Sequence, residues 1–351
     1  MPRQLGLIVF LLLGLAARGA SAAETSPIPE AAYSIAGSWP VGGPGGWDYL
    51  ALDASGARLF VTRGDRVEVI QTASGKLSGT ISHTQGVHGV AFAPALNRGF
   101  TSNGATNTVS VFELDTLRVV QEVPISGKHP DAIIFEPRYA HIITANGESS
   151  NLSVLDAGTL QVVATIALPG PPEFMAVDDA GNVYVNIATD QGKLVVVDGK
   201  ALAVKSTWPL PGCSNPTGLA MDPPHHRLFS VCENQVMAVT DSVSGKQTTK
   251  MLIGSGPDAA AFDSDLGLVF SANGIDGTLT VIREETPDQY RVFATVTTQV
   301  SARTMILDPA THTLYFAAAK LGPAPPPTED NPHPRPSVAA NSFVILVARP
   351  K

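Results

Sequence analysis

A pattern of four short strands that recurs seven times constrains the fold of this chain more than any other feature. The first strands of the repeats have apolar centres and mostly end in an acidic residue; they are Tyr49–Asp53, Gly89–Ala93, Ala132–Glu136, Phe174–Asp178, Gly218–Asp222, Ala259–Asp263 and Thr304–Asp308. They begin 40, 43, 42, 44, 41 and 45 residues apart. Four strands in about 40 residues make one blade of a β-propeller. We therefore expect an all-β fold, a seven-bladed β-propeller with four-stranded antiparallel blades.

The two ends of the chain fit a ring that closes on itself. The last repeat has only three strands, the third being Ser342–Ala348, and an extra strand around Tyr33–Val41 precedes the first repeat. In this extra strand, Trp39 and its following proline match Trp208 of a fourth strand. We expect the N-terminal strand to complete the last blade and so to leave no open sheet edge. A linear β-solenoid predicts neither the missing strand nor the extra one.

Residues 1–22 have the pattern of an export signal. Arg3 supplies a positive charge, residues 5–17 are apolar, and Ala20-Ser21-Ala22 matches a small-residue cleavage site. An uncleaved N-terminal anchor is the alternative. No later apolar run reaches the roughly 18 residues of a membrane-spanning helix. We expect a signal peptide (1–22), a single propeller domain (23–351), no transmembrane segment after cleavage, and a periplasmic or secreted protein.

The mature chain is acidic. Removal of Arg3 and Arg18 leaves 21 basic and 31 acidic side chains, a formal net charge of −10. No cluster of lysines and arginines marks a surface for phosphate backbones, so nucleic acid is not expected as a partner. We expect a monomer whose partner is an envelope protein or a small ligand.

Four second strands end in a step that is similar to Tyr-Val-Thr-Asn. These segments are Phe60–Arg63, Phe100–Asn103, Ile143–Asn146 and Phe270–Asn273. The chain therefore resembles the YVTN-repeat, or YncE-like, β-propeller family over nearly all of its mature length. The resemblance implies an exported propeller and carries over no catalytic residues. Three repeats depart from it, since Asn186 is shifted and Cys232 and Ala318 replace the asparagine.

The best candidate site lies just before the first strands. Because these strands line the channel of a propeller, the preceding residues should ring one mouth of it; they are Asp48, His88, Asp131, Glu173, Thr217, Asp258 and Arg303. His88 and Asp131 are candidate ligands of a divalent cation, with Asp48 and Glu173 beside them. Hydrogen bonds to loop amides or water are the alternative role. Arg303 would pair with Asp258 and Asp48, and a structural ion pair is favoured there over substrate binding.

Other polar segments are expected on the same face. The turns after the second strands would add Arg63, Asn103, Asn146, Asn186 and Asn273 to the mouth, with asparagine at such turns serving mainly the backbone. The insert 322–336, with seven prolines among fifteen residues, would project over it as a cover or docking arm, or else as a disordered excursion. On the opposite face, His225-His226 is interpreted as a surface turn rather than a metal site.

The only two cysteines, Cys213 and Cys232, are 19 positions apart. An oxidising compartment would permit a disulfide between them if the Cys213 loop folds back towards the strand of Cys232. The alternative is one buried and one inert thiol.

The sequence carries no recognised catalytic or covalent-cofactor motif. We therefore favour a non-catalytic binding or scaffold protein that acts through one face of its central channel, with no cofactor beyond a divalent cation. The alternative is a metal-assisted hydrolase or lactonase that uses His88, Asp131, Glu173 and Arg303. An electron-transfer partner is a third hypothesis, and no ligand signature supports it.

Overall fold

Strands are the main regular structure of the chain that the computed structural model describes, which is Met1 and residues 33–328 and 336–351. Residues 2–32, which include the predicted signal peptide after Met1, and residues 329–335 of the proline-rich insert lie outside the described residues. The described residues form no α-helix, only one 3₁₀ turn, η1 (Pro94–Leu96). Accordingly, none of their helical segments is long and apolar enough to cross a membrane. The all-β prediction is confirmed.

Four sheets each contain four consecutive strands that pair antiparallel in chain order. The first is β9 (Pro130–Glu136), β10 (His141–Asn146), β11 (Asn151–Asp156) and β12 (Val162–Ala167). The second is β13 (Pro172–Val177), β14 (Asn182–Ile187), β15 (Lys193–Asp198) and β16 (Ala203–Pro209). The third is β17 (Pro216–Asp222), β18 (Arg227–Cys232), β19 (Val236–Asp241) and β20 (Gln247–Leu252). The fourth is β21 (Pro257–Asp263), β22 (Leu268–Asn273), β23 (Thr278–Thr286) and β24 (Gln289–Thr297).

A seven-stranded antiparallel sheet precedes these four and contains the first two repeats. Its strands are β2 (Leu50–Leu52), β3 (Arg58–Thr62), β4 (Gly64–Gln71), β5 (Lys76–Ala93), β6 (Arg98–Asn103), β7 (Thr108–Glu113) and β8 (Val119–Pro124). The first part of β5 pairs with β4 and its last part pairs with β6. One long strand therefore ends the first repeat and begins the second.

The last sheet joins the two ends of the described chain. Its order is β1 (Tyr33–Pro40), β27 (Val344–Pro350), β26 (Thr313–Ala318) and β25 (Thr304–Asp308). Tyr33 lies opposite Pro350 in an antiparallel pairing. Trp39 of β1 stands over Gly75 as Trp208 of β16 stands over Gly245. The N-terminal strand therefore occupies the position of a fourth strand, as its tryptophan predicts.

Hydrophobic clusters hold neighbouring four-strand groups together. Phe100 of β6, for example, is buried with Ile142 of β10 in a cluster that lies between two groups. A corresponding cluster contains Leu59 of the first group and Ile345 of the last. Burial of one such side chain contributes about 1.5–3 kcal/mol, so face-to-face packing stabilises the arrangement strongly. The architecture is propeller-like, with four-stranded antiparallel units packed against one another.

Candidate functional site

The predicted mouth residues lie at β-bulges near the beginning of the first strands. The pairing register shifts at His88, Asp131, Glu173, Thr217 and Asp258. A bulge leaves a residue outside the ladder and redirects its side chain, which is why bulges recur beside functional sites. Four of the five follow a proline; these are Pro130, Pro172, Pro216 and Pro257. Because proline donates no ladder hydrogen bond, these prolines are the sequence signal that identifies the bulges.

Three of these side chains meet although they come from three successive repeats. Nδ1 of His88 lies 2.6 Å from Oδ2 of Asp48 and 3.3 Å from Oδ1 of Asp131. One ligand atom of each residue lies within 4.8 Å of the other two. All three side chains are largely, though not completely, buried. Imidazole and two carboxylates at these distances form a donor set suited to a divalent cation.

Arg303 connects two carboxylates of the predicted mouth. Its Nε donates to Asp258 Oδ2 at 2.7 Å, and its Nη2 lies 3.5 Å from Asp48 Oδ1. Burial lowers the pKa of Arg303, but the carboxylates of Asp258 and Asp48 outweigh this effect, and the pKa is raised overall. The guanidinium also lies 5.8 Å from the centre of the Trp47 ring. These contacts are the ion pairs that the sequence suggests.

The site holds more negative charge than Arg303 can balance. Burial, followed by repulsion from Asp48, raises the pKa of Asp131 to about 7. Burial, followed by repulsion from Asp131, raises the pKa of Glu173 to about 9. Oδ1 of Asp131 is buried and accepts no hydrogen bond within the described part of the chain. The arrangement therefore favours protonated carboxyls unless a cation enters.

Tyr49 belongs to this site and was missed by the sequence analysis. Its ring packs edge-on against Phe174 with 4.5 Å between centroids. Its side chain hydrogen bonds to Asp131, which lowers the pKa of that carboxyl slightly against the effects of burial and charge. Burial and then Asp131 raise the pKa of Tyr49 well above its usual range, so the hydroxyl remains a donor. The available signal was its position, since it is the only tyrosine that begins a predicted first strand.

The polar ends of the second strands do not contribute to the mouth, and this part of the prediction is wrong. Asn103, Asn146, Asn186 and Asn273 are buried. Asn103 Nδ2 and Asn273 Nδ2 each donate to two hydroxyls on the next strand, and Asn146 Nδ2 donates to Asn151 Oδ1 and Ser153 Oγ. Asn186 instead donates to the carbonyls of Thr217 and Gly218. These asparagines satisfy backbone and side-chain partners in the interior.

Arg63 is also buried rather than exposed at the mouth. Its Nη2 donates to the carbonyl groups of the loop 42–45, which folds over it. Its guanidinium stacks 3.6 Å from the centre of the Phe343 ring, next to the chain end. The residue therefore fixes the entry loop against the last sheet.

Thr217, the remaining predicted mouth residue, has a structural role. Its hydroxyl donates to the carbonyl of Pro257 in the neighbouring sheet at 3.0 Å. It thus links two first strands and offers no charged group to a ligand.

A disulfide joins Cys213 to Cys232, with Cα atoms 5.4 Å apart. The loop of Cys213 does fold back, since its amide donates to the Leu210 carbonyl and its carbonyl accepts from Gly192. Both cysteines are buried.

The proline-rich insert is anchored at its base. Leu321 and Val338 form an isolated antiparallel bridge, and the Gly322 amide donates to the Ser337 carbonyl. The interpretation of the insert as a cover rests on residues 329–335 in part, which lie outside the described residues.

Solved structures with the same fold have little sequence in common with this chain. Kuenenia stuttgartiensis hydrazine synthase superposes with a TM-score of 0.69 at 15% identity, covering 77% of this chain and 92% of that one. The structure of U3-55K superposes with a TM-score of 0.71 at 11% identity, covering 90% of this chain and 98% of that one. No known protein family and no curated protein matches the sequence at a significant level. At these identities the likeness establishes the propeller-like fold alone.

Proposed function

We propose that this protein is an exported, non-catalytic binding protein whose channel mouth binds a divalent metal cation through Asp48, His88 and Asp131. The observation that carries the proposal is the contact of one imidazole with two carboxylates, one of which has a buried oxygen, Asp131 Oδ1, that accepts no hydrogen bond from the described residues. A cation bound there would replace the protons that burial and repulsion favour. The bound ion would then present open coordination positions to a ligand in the channel.

The surrounding charges support a cation rather than an anion. Asp258 and Glu173 add two further carboxyl groups, and the guanidinium of Arg303 pairs with Asp258 and Asp48. Because Arg303 already contacts Asp258 and Asp48, it leaves Asp131 without a guanidinium partner. A second positive charge would therefore be strongly stabilised at this position.

The finer architecture is part of the proposal. We infer a closed ring of seven blades of the YVTN-repeat type, because the first and last strand groups share a hydrophobic cluster and β1 pairs with β27.

Export is inferred from the pattern of residues 1–22, and a disulfide suits an oxidising compartment. Export is tested by expressing the full chain in a Gram-negative bacterium, separating the periplasm from the cytoplasm, and measuring the intact mass of the protein in each fraction. A periplasmic product beginning at residue 23 supports export, and an uncleaved cytoplasmic product contradicts it.

Metal titration tests the binding site directly. The mature protein is stripped with a chelator and titrated with Zn²⁺ and Mn²⁺ in a calorimeter. Asp131→Asn and His88→Asn should weaken binding at the mouth at least ~100-fold, since each removes a ligand. His312→Asn is a matched control, because His312 also lies 2.8 Å from a buried aspartate, Asp263. Equal affinity in wild type and both mouth variants would refute the proposal.

A metal-assisted hydrolase or lactonase is the second candidate. The pKa of Asp131, about 7, suits a general base near neutral pH. This candidate requires turnover of an ester or lactone panel by the metal-loaded protein, with loss of turnover in Asp131→Asn. Absence of turnover in a protein that binds the metal would leave the binding function and eliminate the enzyme.

A further inference from the structure

A cleft between the third and fourth four-stranded sheets lies at the ends of the first strands, away from the bulges. Its volume is about 350 Å³, and its lining includes Asp222, His225, Phe262, Glu284 and Pro287. Asp222 ends β17, His225 lies in the turn that follows, and Glu284 lies near the end of β23. The cleft thus brings a turn of one sheet against a hairpin of the next.

The three titratable residues form a compact donor set. Nδ1 of His225 lies 2.7 Å from Asp222 Oδ2 and 3.6 Å from Glu284 Oε1. One ligand atom of each lies within 4.8 Å of the other two. The side chains of Asp222 and Glu284 are only 1% and 4% exposed, whereas that of His225 is 51% exposed. Two buried carboxylates therefore face a histidine that solvent can reach.

The ion pairs of Arg227 are with carboxylates other than Asp222 and Glu284, although its guanidinium also donates to the carbonyls of His225 and Pro287 beside the cleft. Arg227 donates to Asp241 at 2.6 Å and to Asp288 at 2.8 Å. Arg283 stacks its guanidinium on Phe293, 4.8 Å from the ring centre.

Asp222 also departs from its counterparts in the repeat. The acidic residues that end other first strands accept amide hydrogen bonds from the following turn, as Glu136 does from Arg138 and Tyr139. Asp53, Asp178, Asp263 and Asp308 do the same in their own repeats. Asp222 instead contacts His225, and the His226 amide closes this turn on the Pro223 carbonyl. The carboxylate is therefore released from the capping role that the repeat assigns to this position.

Glu284 enters the cleft through a second departure. Strands β23 and β24 have nine residues each, whereas β19 and β20 of the preceding sheet have six. The extension carries Glu284 to His225, and the Tyr290 hydroxyl donates to its Oε1 at 3.1 Å. An oriented carboxylate of this kind is typical of ligands that outer hydrogen bonds hold in position.

We propose that Asp222, His225 and Glu284 form a second divalent transition-metal site that links the two sheets. A donor set of one imidazole and two carboxylates suits Zn²⁺ or Mn²⁺ better than Ca²⁺, because Ca²⁺ prefers ligands that are all oxygen atoms. The exposed side of His225 leaves coordination positions open to water or to a ligand in the cleft. The site does not depend on the one at the channel mouth.

Calorimetric titration of the chelator-treated mature protein with Zn²⁺ and Mn²⁺ tests the assignment. His225→Ala and Glu284→Gln should each weaken binding at the cleft at least ~100-fold. If the mouth also binds metal, each cleft variant should bind one metal ion fewer per protein than the wild type. The mouth variant Asp131→Asn should leave the cleft site intact. Failure at one site is therefore distinguishable from failure at the other.

His226→Asn is the matched control, since His226 has a φ of 56° and asparagine tolerates that conformation. It should bind metal as the wild type does. Circular dichroism and unfolding in chelator establish that each variant is folded before titration. With the mouth site disabled by Asp131→Asn, a high-affinity Co²⁺ spectrum that survives in folded His225→Ala and Glu284→Gln, or that disappears in His226→Asn, would overturn the proposal.

Discussion

Nδ1 of His88 lies 2.6 Å from Oδ2 of Asp48, although the two residues are 40 positions apart. The separation is one repeat, so the contact joins equivalent positions of two adjacent strand groups. His88 reaches Asp48 from a bulge in β5, where its side chain leaves the ladder. Repetition therefore places equivalent residues at one end of the first strands, and local irregularity brings some of them into contact.

Arg303 should stabilise the fold through its two carboxylate contacts. Arg303→Met leaves Asp258 and Asp48 without their shared cation, and the free energy of unfolding should fall by about 2 kcal/mol, less than for a fully buried pair. Urea unfolding of the metal-free protein measures the loss. Arg118→Met, which breaks the exposed pair with Glu113, should leave stability unchanged. Equal stability of both variants would show that the Arg303 contacts are energetically neutral.

Glu173 should make the metal-free protein less stable as pH rises. Its pKa is raised from 4.5 to about 9, so the folded state keeps a proton that the unfolded state releases. The contribution of Glu173 to stability is therefore fully present below pH 4.5 and is lost towards pH 9, by up to about 1.4 kcal/mol per pH unit. Glu173→Gln should flatten this slope in unfolding measured with chelator between pH 5 and 9. Glu122→Gln, at an exposed position of β8, should retain it.

The strands could be predicted from the sequence because their alternation and turns are local properties. The predicted strand Gly218–Asp222, for example, is the greater part of β17 (Pro216–Asp222). The polar residue that follows β3, Arg63, was wrongly expected at the mouth. It is covered by carbonyl groups of the loop 42–45, and no local sequence pattern encodes this contact. Burial of a polar residue depends on which segment folds over it.

The candidate sites were predictable to different degrees. The mouth followed from the repeat, because equivalent residues must share one end of the first strands. The distances did not follow, since bulges at residues such as His88 and Asp131 set them. The cleft could not be found, because Glu284 meets His225 only through the longer hairpin of β23 and β24. A contact between different sheets requires the three-dimensional arrangement.

The disulfide should contribute substantially to stability. A cross-link between Cys213 and Cys232 closes a loop of about 20 residues. The lower entropy of the unfolded chain then raises the free energy of unfolding by about 3 kcal/mol at 25 °C. The double substitution of both cysteines by alanine should reduce the free energy of unfolding by that amount. Mass measurement after alkylation without reductant checks that the wild type has no free thiol. The bond would be contradicted if the double variant had the same free energy of unfolding as the wild type and if alkylation detected free thiols in the wild type.

Gly75 should report whether β1 packs as a fourth strand. A Cβ there would lie 2.4 Å from Cγ of Trp39, and a Cβ at Gly245 would lie 2.3 Å from Cδ2 of Trp208. Gly75→Ala and Gly245→Ala should each lose about 1–3 kcal/mol from this clash, in addition to about 1–2 kcal/mol of backbone strain. Gly64→Ala isolates the strain, because Gly64 has a similar φ of 70° and open space around it. Equal unfolding free energies for Gly75→Ala and Gly64→Ala would show that Trp39 does not pack there, and β1 would then not serve as the fourth strand of the last sheet.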